Sequence, residues 1–287
     1  YRGAKEHGML VTVFTNGTCI TDEILGLFKD LPPRIVEISL YGATAETYER
    51  ITRVKGSFRR CMDGIRRLHA AGVRIKLKTV LMTANSHEYD DLVRMAEAFD
   101  VPFRVDAAIF PRLNGDCTPL KYRLPPEEAV KLEFRDEKRK KEWYDLFQRF
   151  DQPLISDRLY QCGAGVTAFY LGPYGHIQPC LMTGRYRYDL NRGDFAAGWD
   201  TFAYSIRERR ADRDFKCLAC DRYALCGMCP GFFDMENAAE TDTSDFLCAL
   251  GYYRYQEIVK TFLGEKDYEI QIPAKDWRDD VAETTAL

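Results

Sequence analysis

Cysteine is the residue whose spacing points most directly to chemistry in this chain. Seven of its ten cysteines form an ordered array: Cys162, Cys180, Cys217, Cys220, Cys226, Cys229 and Cys248. Four of them fall within the thirteen residues 217–229, C-L-A-C-D-R-Y-A-L-C-G-M-C. Thiolates this close can converge on one metal centre, because a C-x-x-C turn aims both sulfurs the same way. Seven thiols exceed one tetrahedral site, so two centres is the natural count. Structural zinc suits C-x-x-C pairs, but zinc ribbons usually separate their pairs by more than the five residues found here. Iron–sulfur clusters use the whole array, and the array reads best as that.

The other reactive side chains are dispersed. His7, His69, His87 and His176 include no pair at metal-ligand spacing. Cys19 and Cys61 read as buried thiols that fill space. Asp106 and Arg112, in and just beyond one strand, are candidates to face a substrate. The 287 residues are 46% hydrophobic and 30% charged, with a net charge of −3, which is globular material. No long run of one sign suggests nucleic acid. No apolar window approaches the ~18 residues of a membrane span. Ten cysteines without a signal-peptide pattern argue for a reducing cytoplasm and metal ligation, not a disulfide framework.

The elements that must position these groups alternate in the first 110 residues. Residues 9–14, 34–40, 74–82 and 103–110 read as strands. Residues 21–31, 57–71 and 88–99 have helical period, and Gly72 closes the second helix. That rhythm gives parallel βα units, either an α/β barrel or an open doubly wound sheet. Residues 126–150 read as one helix within a charged bridging segment. Residues 168–180 read as a β-hairpin turning at Gly172–Gly175 and leading into Cys180. The stretch 248–262 is helical, and the polar tail from 265 to 287 reads as loosely held. The chain opens with Tyr1 and the end of a helix closing at Gly8, which suggests an N-terminal truncation.

Three features together resemble a known family. The array C-x₁₂-G-x₄-C (Cys162, Gly175, Cys180), then C-x₂-C-x₅-C-x₂-C, then Cys248, is similar to the SPASM auxiliary-cluster domain of radical S-adenosylmethionine (radical SAM) enzymes. The segments F-T-N-G-T (14–18) and E-I-S-L-Y-G-A-T-A-E-T-Y-E-R-I-T-R-V-K-G-S-F (37–58) look like strand edges of the radical SAM partial barrel. The resemblance implies an α/β fold: a partial (β/α) barrel followed by a small Cys-rich α+β domain. It divides the chain into barrel residues 1–112, a bridging segment 113–157, an auxiliary domain 158–264 and the tail.

Two departures accompany it. The C-x-x-x-C-x-x-C loop that binds the catalytic cluster is not within these residues, nor is a G-G-E-P-like segment; the resemblance places both upstream and implies that this chain alone is inactive. The array also has one residue fewer between Cys226 and Cys229 than is common, which leaves open the cluster that Cys229 serves.

The resemblance further implies two auxiliary [4Fe–4S] clusters, one on Cys217, Cys220, Cys226 and Cys248, the other on Cys162, Cys180 and Cys229. A third cluster is expected in the missing part. Cys117, or an open iron, is a candidate for the fourth ligand of the second set. S-adenosylmethionine would meet Asn16, Ser39 and Arg60, with Arg53 as the rival arginine; Asn16 and Gly17 also read simply as a turn. The implied chemistry is hydrogen abstraction by a 5′-deoxyadenosyl radical. A peptide-modifying maturase is the first reading, and a cofactor-biosynthesis enzyme acting on a small molecule the second. A flavodoxin- or ferredoxin-type electron donor would serve either one. A zinc- or iron–sulfur-binding module without activity is the remaining alternative.

Overall fold

A computed structural model describes residues 1–150 and 156–264. The polar tail 265–287 lies outside the described residues. The chain divides into two compact units: Tyr1–Ala108 with Tyr122–Leu124, and Ile109–Lys121 with the residues from Pro125 onward.

In the first unit, short β-branched runs form strands β1 (Thr12–Thr15), β2 (Ile35–Ser39), β3 (Ile75–Val80) and β4 (Phe103–Asp106), after a short helix α1 (Arg2–Glu6). Every neighbouring pair is parallel and the spatial order is β1-β2-β3-β4. A doubly wound sheet reverses its strand order at a switch point, and this one does not. The arrangement is that of a barrel wall. The crossovers carry α2 (Asp22–Asp30), α3 (Ala45–Thr52), α4 (Ser57–Ala70) and α5 (Tyr89–Ala98).

Local chemistry sets the helix ends. Thr21 Oγ1 accepts from Ile24 N at 3.2 Å to cap α2, and Thr44 Oγ1 accepts from Thr47 N at 3.2 Å to cap α3. α3 is not among the helices expected from the sequence. Beyond Tyr48, its eight residues bury little apolar surface, so the 3.6-residue stripe is short. α4 buries Cys61, Met62, Ile65 and Leu68 on one face. With Val36, Ile38, Leu40, Ile75, Leu77, Leu92 and Tyr48 they form the core of this unit. Full burial of each Ile or Leu is worth about 1.5–3 kcal/mol.

In the second unit, the single helix expected over 126–150 is two: α6 (Pro126–Glu133) and α7 (Glu137–Arg149). The break has a physical cause, since Asp136 accepts from Lys138 N (2.9 Å) and Arg139 N (3.2 Å) and starts a new helix. The hairpin forms as β5 (Tyr170–Leu171) and β6 (His176–Gln178), and a third antiparallel strand, β7 (Tyr188–Asp189), extends it. α8 (Phe195–Arg207) adds Phe202 and Trp199 to a small core around Ile177. The cysteine-rich stretch contributes α9 (Tyr223–Cys226), α10 (Pro230–Asn237) and α11 (Asp245–Ile258), the last capped by Ser244. Arg254 on α11 pairs through two bonds with Glu133 of α6 (2.8 and 2.9 Å) and donates to the Leu225 carbonyl at 2.6 Å. Its guanidinium also lies 4.2 Å over the Trp143 ring. Among the described residues no helix is long and apolar enough to cross a membrane.

Candidate functional sites

The strands of the first unit alternate in polarity, which strands covered on both faces do not do. Val36, Ile38, Ile75, Leu77 and Phe103 belong to the core. The opposite face carries Phe14, Glu37, Ser39, Lys76, Lys78, Arg104 and Asp106. Register confirms that they share it: Phe14 neighbours Glu37, Glu37 neighbours Lys76, Ser39 neighbours Lys78, and Lys78 neighbours Arg104. Asp106 therefore lies on the polar face, and its carboxylate stands 3.8 Å from Arg104. Arg112 lies beyond it in the second unit, paired at 3.3 Å with Asp116.

Parallel α/β folds place ligands at the carboxyl edge of the sheet, and the S-adenosylmethionine candidates lie there. Asn16 follows β1, and its Oδ1 accepts from Thr18 N (3.0 Å) and Thr18 Oγ1 (2.8 Å), forming an Asx turn. Gly17 supplies the positive φ of +72° that the turn requires. Ser39 ends β2, and its carbonyl accepts from Cys61 Sγ at 3.9 Å. A Cβ at Gly17 would lie 3.6 Å from both the carbonyl oxygen and the sulfur of Cys61. The next residue back is Arg60, exposed in the first turn of α4, so Cys61 links the backbone positions of all three candidates. Arg53 instead closes α3 in a left-handed conformation and is exposed.

Cys61 is buried as expected, and burial pushes its thiol pKa up. Cys19 corrects the expectation. It is exposed, because the Asx turn carries the chain outward before α2 begins, leaving its sulfur 3.7 Å from the Thr18 hydroxyl.

The sequence reading missed two side chains that fasten this edge. Asn85, fully buried, donates to Tyr41 O and Val80 O (both 3.0 Å) and accepts from Met82 N at 2.8 Å. Glu88 accepts from Ala43 N (2.6 Å), Thr44 N (3.3 Å) and Thr44 Oγ1 (2.6 Å). Burial opposes its ionisation, but these donors outweigh burial and hold its pKa below the usual range. Together they tie the loop after β2 to the loop after β3. Asn85 precedes the 3-10 turn Ser86–Glu88 and Glu88 ends it; polar residues at a helix start are too common to single out from sequence.

In the second unit the array falls into two sets of neighbouring thiols, Cys217, Cys220, Cys226 and Cys248 in one and Cys162, Cys180 and Cys229 in the other. Burial raises Cys217 to about 12, followed by the charges of Cys248 and Cys220. Burial likewise raises Cys226 to about 12, followed by Cys248, Cys217 and Cys220. Cys248 is raised by burial and then by Cys220. Cys229 is raised by burial and, more weakly, by Cys180 and Cys162, while backbone N–H groups of Phe232 and Gly231 at the start of α10 lower it. Hydrogen bonds fix the turns. Cys180 N donates to Thr183 Oγ1 at 2.9 Å, and that hydroxyl donates back to Cys180 O at 2.9 Å. Gly251 of α11 lies against Cys226, where an added Cβ would come within 2.7 Å of the Cys226 Cβ. Cys117 turns its thiol to Gly115 O at 3.6 Å.

Among the described residues no three His, Cys, Asp or Glu side chains stand close enough to hold one metal ion. Thiolates on a single zinc stand about 4 Å apart, from Zn–S bonds of ~2.3 Å. A multi-iron cluster interposes iron and sulfide and uses a wider set. Cys217 is buried, Cys180, Cys220, Cys226, Cys229 and Cys248 are half-buried and Cys162 is exposed; thiols gathered in this way are a donor set that a positively charged metal core would suit.

A carboxylate network adjoins the second set. Glu240, buried, accepts from Tyr160 (2.6 Å), Tyr186 (2.8 and 3.1 Å) and Arg209 (3.0 Å). Tyr160 is close enough to Cys229 for the thiolate charge to raise its pKa, after the larger effects of burial and Glu240.

Known proteins resemble the chain along most of its length. It is 24% identical over 246 residues to the mycofactocin maturase MftC of Mycobacterium tuberculosis, covering 78% of this chain and 59% of that one. It is 29% identical over 263 residues to the AdoMet-dependent heme synthase of Nitratidesulfovibrio vulgaris, covering 79% and 68%. The chain thus spans about three fifths of the maturase's length. In structure it matches Streptococcus suis SuiB bound to the precursor peptide SuiA, with a TM-score of 0.65 at 17% identity over 86% of this chain and 60% of SuiB. That likeness shows a shared mixed α/β fold built on a parallel sheet. The family model described as the Radical SAM superfamily matches residues 2–97, a stretch that includes β1, β2 and β3.

Proposed function

We propose that this chain is part of a radical SAM maturase that modifies a peptide. The observation that carries the reading is that a segment matched by the Radical SAM model, residues 2–97, is followed by a unit whose cysteines neighbour one another in two sets, which supports Cys217, Cys220, Cys226 and Cys248 as one ligand set and Cys162, Cys180 and Cys229 as the other. Each set would hold one auxiliary [4Fe–4S] cluster, the second keeping an open iron or taking a further ligand. S-adenosylmethionine and the clusters would supply the radical and electron-transfer chemistry. Asn16, Ser39 and Arg60 would hold S-adenosylmethionine at the carboxyl edge, and the polar face would meet the substrate. Residues 1–112 would serve as barrel wall, 113–157 as a link and 158–264 as the auxiliary domain. A flavodoxin- or ferredoxin-type protein would deliver electrons.

The maturase relative and the peptide-bound SuiB structure support a peptide substrate. The heme synthase relative supports a second reading, synthesis of a cofactor from a small molecule.

Anaerobic analysis of iron, sulfide and zinc in the chain tests the cluster reading. About eight iron with matching sulfide is expected for two four-iron clusters. One or two zinc without sulfide would overturn it. Binding of a tetrapyrrole, visible as an intense absorption band, would favour the second reading over the first.

A further inference from the structure

The polar face of the first unit's sheet holds five charged side chains, of which two are incompletely used. Lys76 stands 3.8 Å from Glu37 Oε1, and Arg104 stands 3.8 Å from Asp106 Oδ2. Lys78 lies between these pairs, beside Ser39 on one strand and Arg104 on the other. Its ammonium sits 4.0 Å over the Phe14 ring, and among the described residues it makes no ion pair. Burial is the main influence on it and lowers its pKa. Glu37 is 8% exposed, and its Oε2 is buried without a hydrogen-bond partner. A half-desolvated cation and an unsatisfied buried acceptor are both costly unless something answers them. One ligand can answer both if it presents a carboxylate with an N–H donor beside it. Three cations and two carboxylates leave this face one positive charge, which matches a monoanion better than a phosphate dianion.

We infer that this face is a binding site for a carboxylate-bearing ligand, with Lys78 holding the carboxylate and Glu37 Oε2 accepting from a neighbouring N–H. The inference rests on the peptide reading above and narrows it: the peptide presented to the sheet carries an Asp or Glu residue. Lys78 and Glu37 are specificity-determining residues for that segment.

The test titrates the chain with two blocked amino acids, N-acetylglutamate N-methylamide and its glutamine counterpart. Binding is read by NMR of lysines labelled at Cε, with the Lys78 signal assigned by Lys78→Met. The glutamate probe should move the Lys78 signal saturably, and the glutamine probe should not. In calorimetric titrations, which do not depend on the Lys78 signal, Lys78→Met should weaken the glutamate probe at least about tenfold, and Lys78→Arg should retain it. Titration with S-adenosylmethionine distinguishes the other source of a carboxylate. If that cofactor alone moves the signal, Lys78 belongs to it and the inference fails, while the radical SAM reading stands. If no probe moves the signal of the unsubstituted chain, there is no carboxylate site. Should the metal analysis return zinc while the glutamate probe still binds at Lys78, the site stands and only the radical reading falls.

Discussion

Gly64 of α4 rests directly on Gly17: a Cβ at Gly64 would overlap the Gly17 carbonyl oxygen and come within 3.1 Å of Ile20. The helix that supplies Arg60 and Cys61 is thereby pressed onto the turn that carries Asn16. In Gly64→Ala two effects oppose each other. Alanine gains about 1 kcal/mol of helix propensity. Forcing a methyl into a backbone carbonyl costs about 1–3 kcal/mol, because a turn held by an Asx bond and a positive φ has little room to yield. Net destabilisation is expected, read as a lower urea midpoint; a midpoint equal to or above that of the parent chain would show that the turn gives way.

The Arg254–Glu133 pair supports a second expectation. Both side chains are buried, and the guanidinium also holds the Leu225 carbonyl just before Cys226. Arg254→Met strands Glu133 without a partner and should cost about 3–5 kcal/mol. Arg254→Met with Glu133→Leu should recover part of that loss but not all, since the Leu225 carbonyl still lacks its donor. Denaturant unfolding of the two single variants and the double variant gives the coupling. Equal losses for Arg254→Met and the double variant would mean that the pair is immaterial and the carbonyl bond is everything.

Much of the first unit was legible because its signals are local. Thr21, Gly8 and Gly72 mark helix ends, and β-branched runs mark the strands. The alternation E-I-S, K-L-K and R-V-D is also present in the sequence, but no polar face was read from it. Only the register, however, puts Ser39, Lys78 and Arg104 side by side, with Glu37 beside Lys76. α3 escaped because its apolar stripe is short, and the break at Asp136 escaped because a charged stretch reads as a continuous solvated helix. Arg254 and Glu133 lie 121 residues apart, and Tyr160 and Glu240 lie 80 apart. No periodicity links partners at such distances. Cysteine spacing indicated metal chemistry, but which thiols sense one another depends on how α9, α10 and α11 fold back.

Glu240 is expected to behave as a buried hub. Tyr160→Phe removes one bond to a charged acceptor and should cost about 1.5–3 kcal/mol. Glu240→Leu leaves Tyr160, Tyr186 and Arg209 facing an apolar side chain and should cost more than any single donor removal. Thermal unfolding of the metal-free chain measures both losses. A Glu240→Leu loss no larger than that of Tyr160→Phe would show that the donors find water instead.

The raised thiol pKa values of Cys217 and Cys226, both about 12, set a pH dependence for the metal-free chain. In the unfolded chain cysteine titrates near ~8.5. The folded chain therefore holds these protons more tightly, and the stability linked to them is fully present below about pH 8.5 and is lost as pH rises toward about 12. Within that window each such thiol steepens the loss by up to about 1.4 kcal/mol per pH unit. Unfolding midpoints should hold from pH 7 to 8 and fall by pH 10. Cys217→Ser with Cys226→Ser should flatten the decline. Metal loading reverses the requirement, because thiolates bind the metal and their protons must leave. Loading at pH 8 in weak buffer should therefore release protons, and both thiols should alkylate slowly before loading because few are ionised. Fast alkylation of Cys217 and Cys226 at pH 7 in the metal-free chain would contradict the burial that raises them.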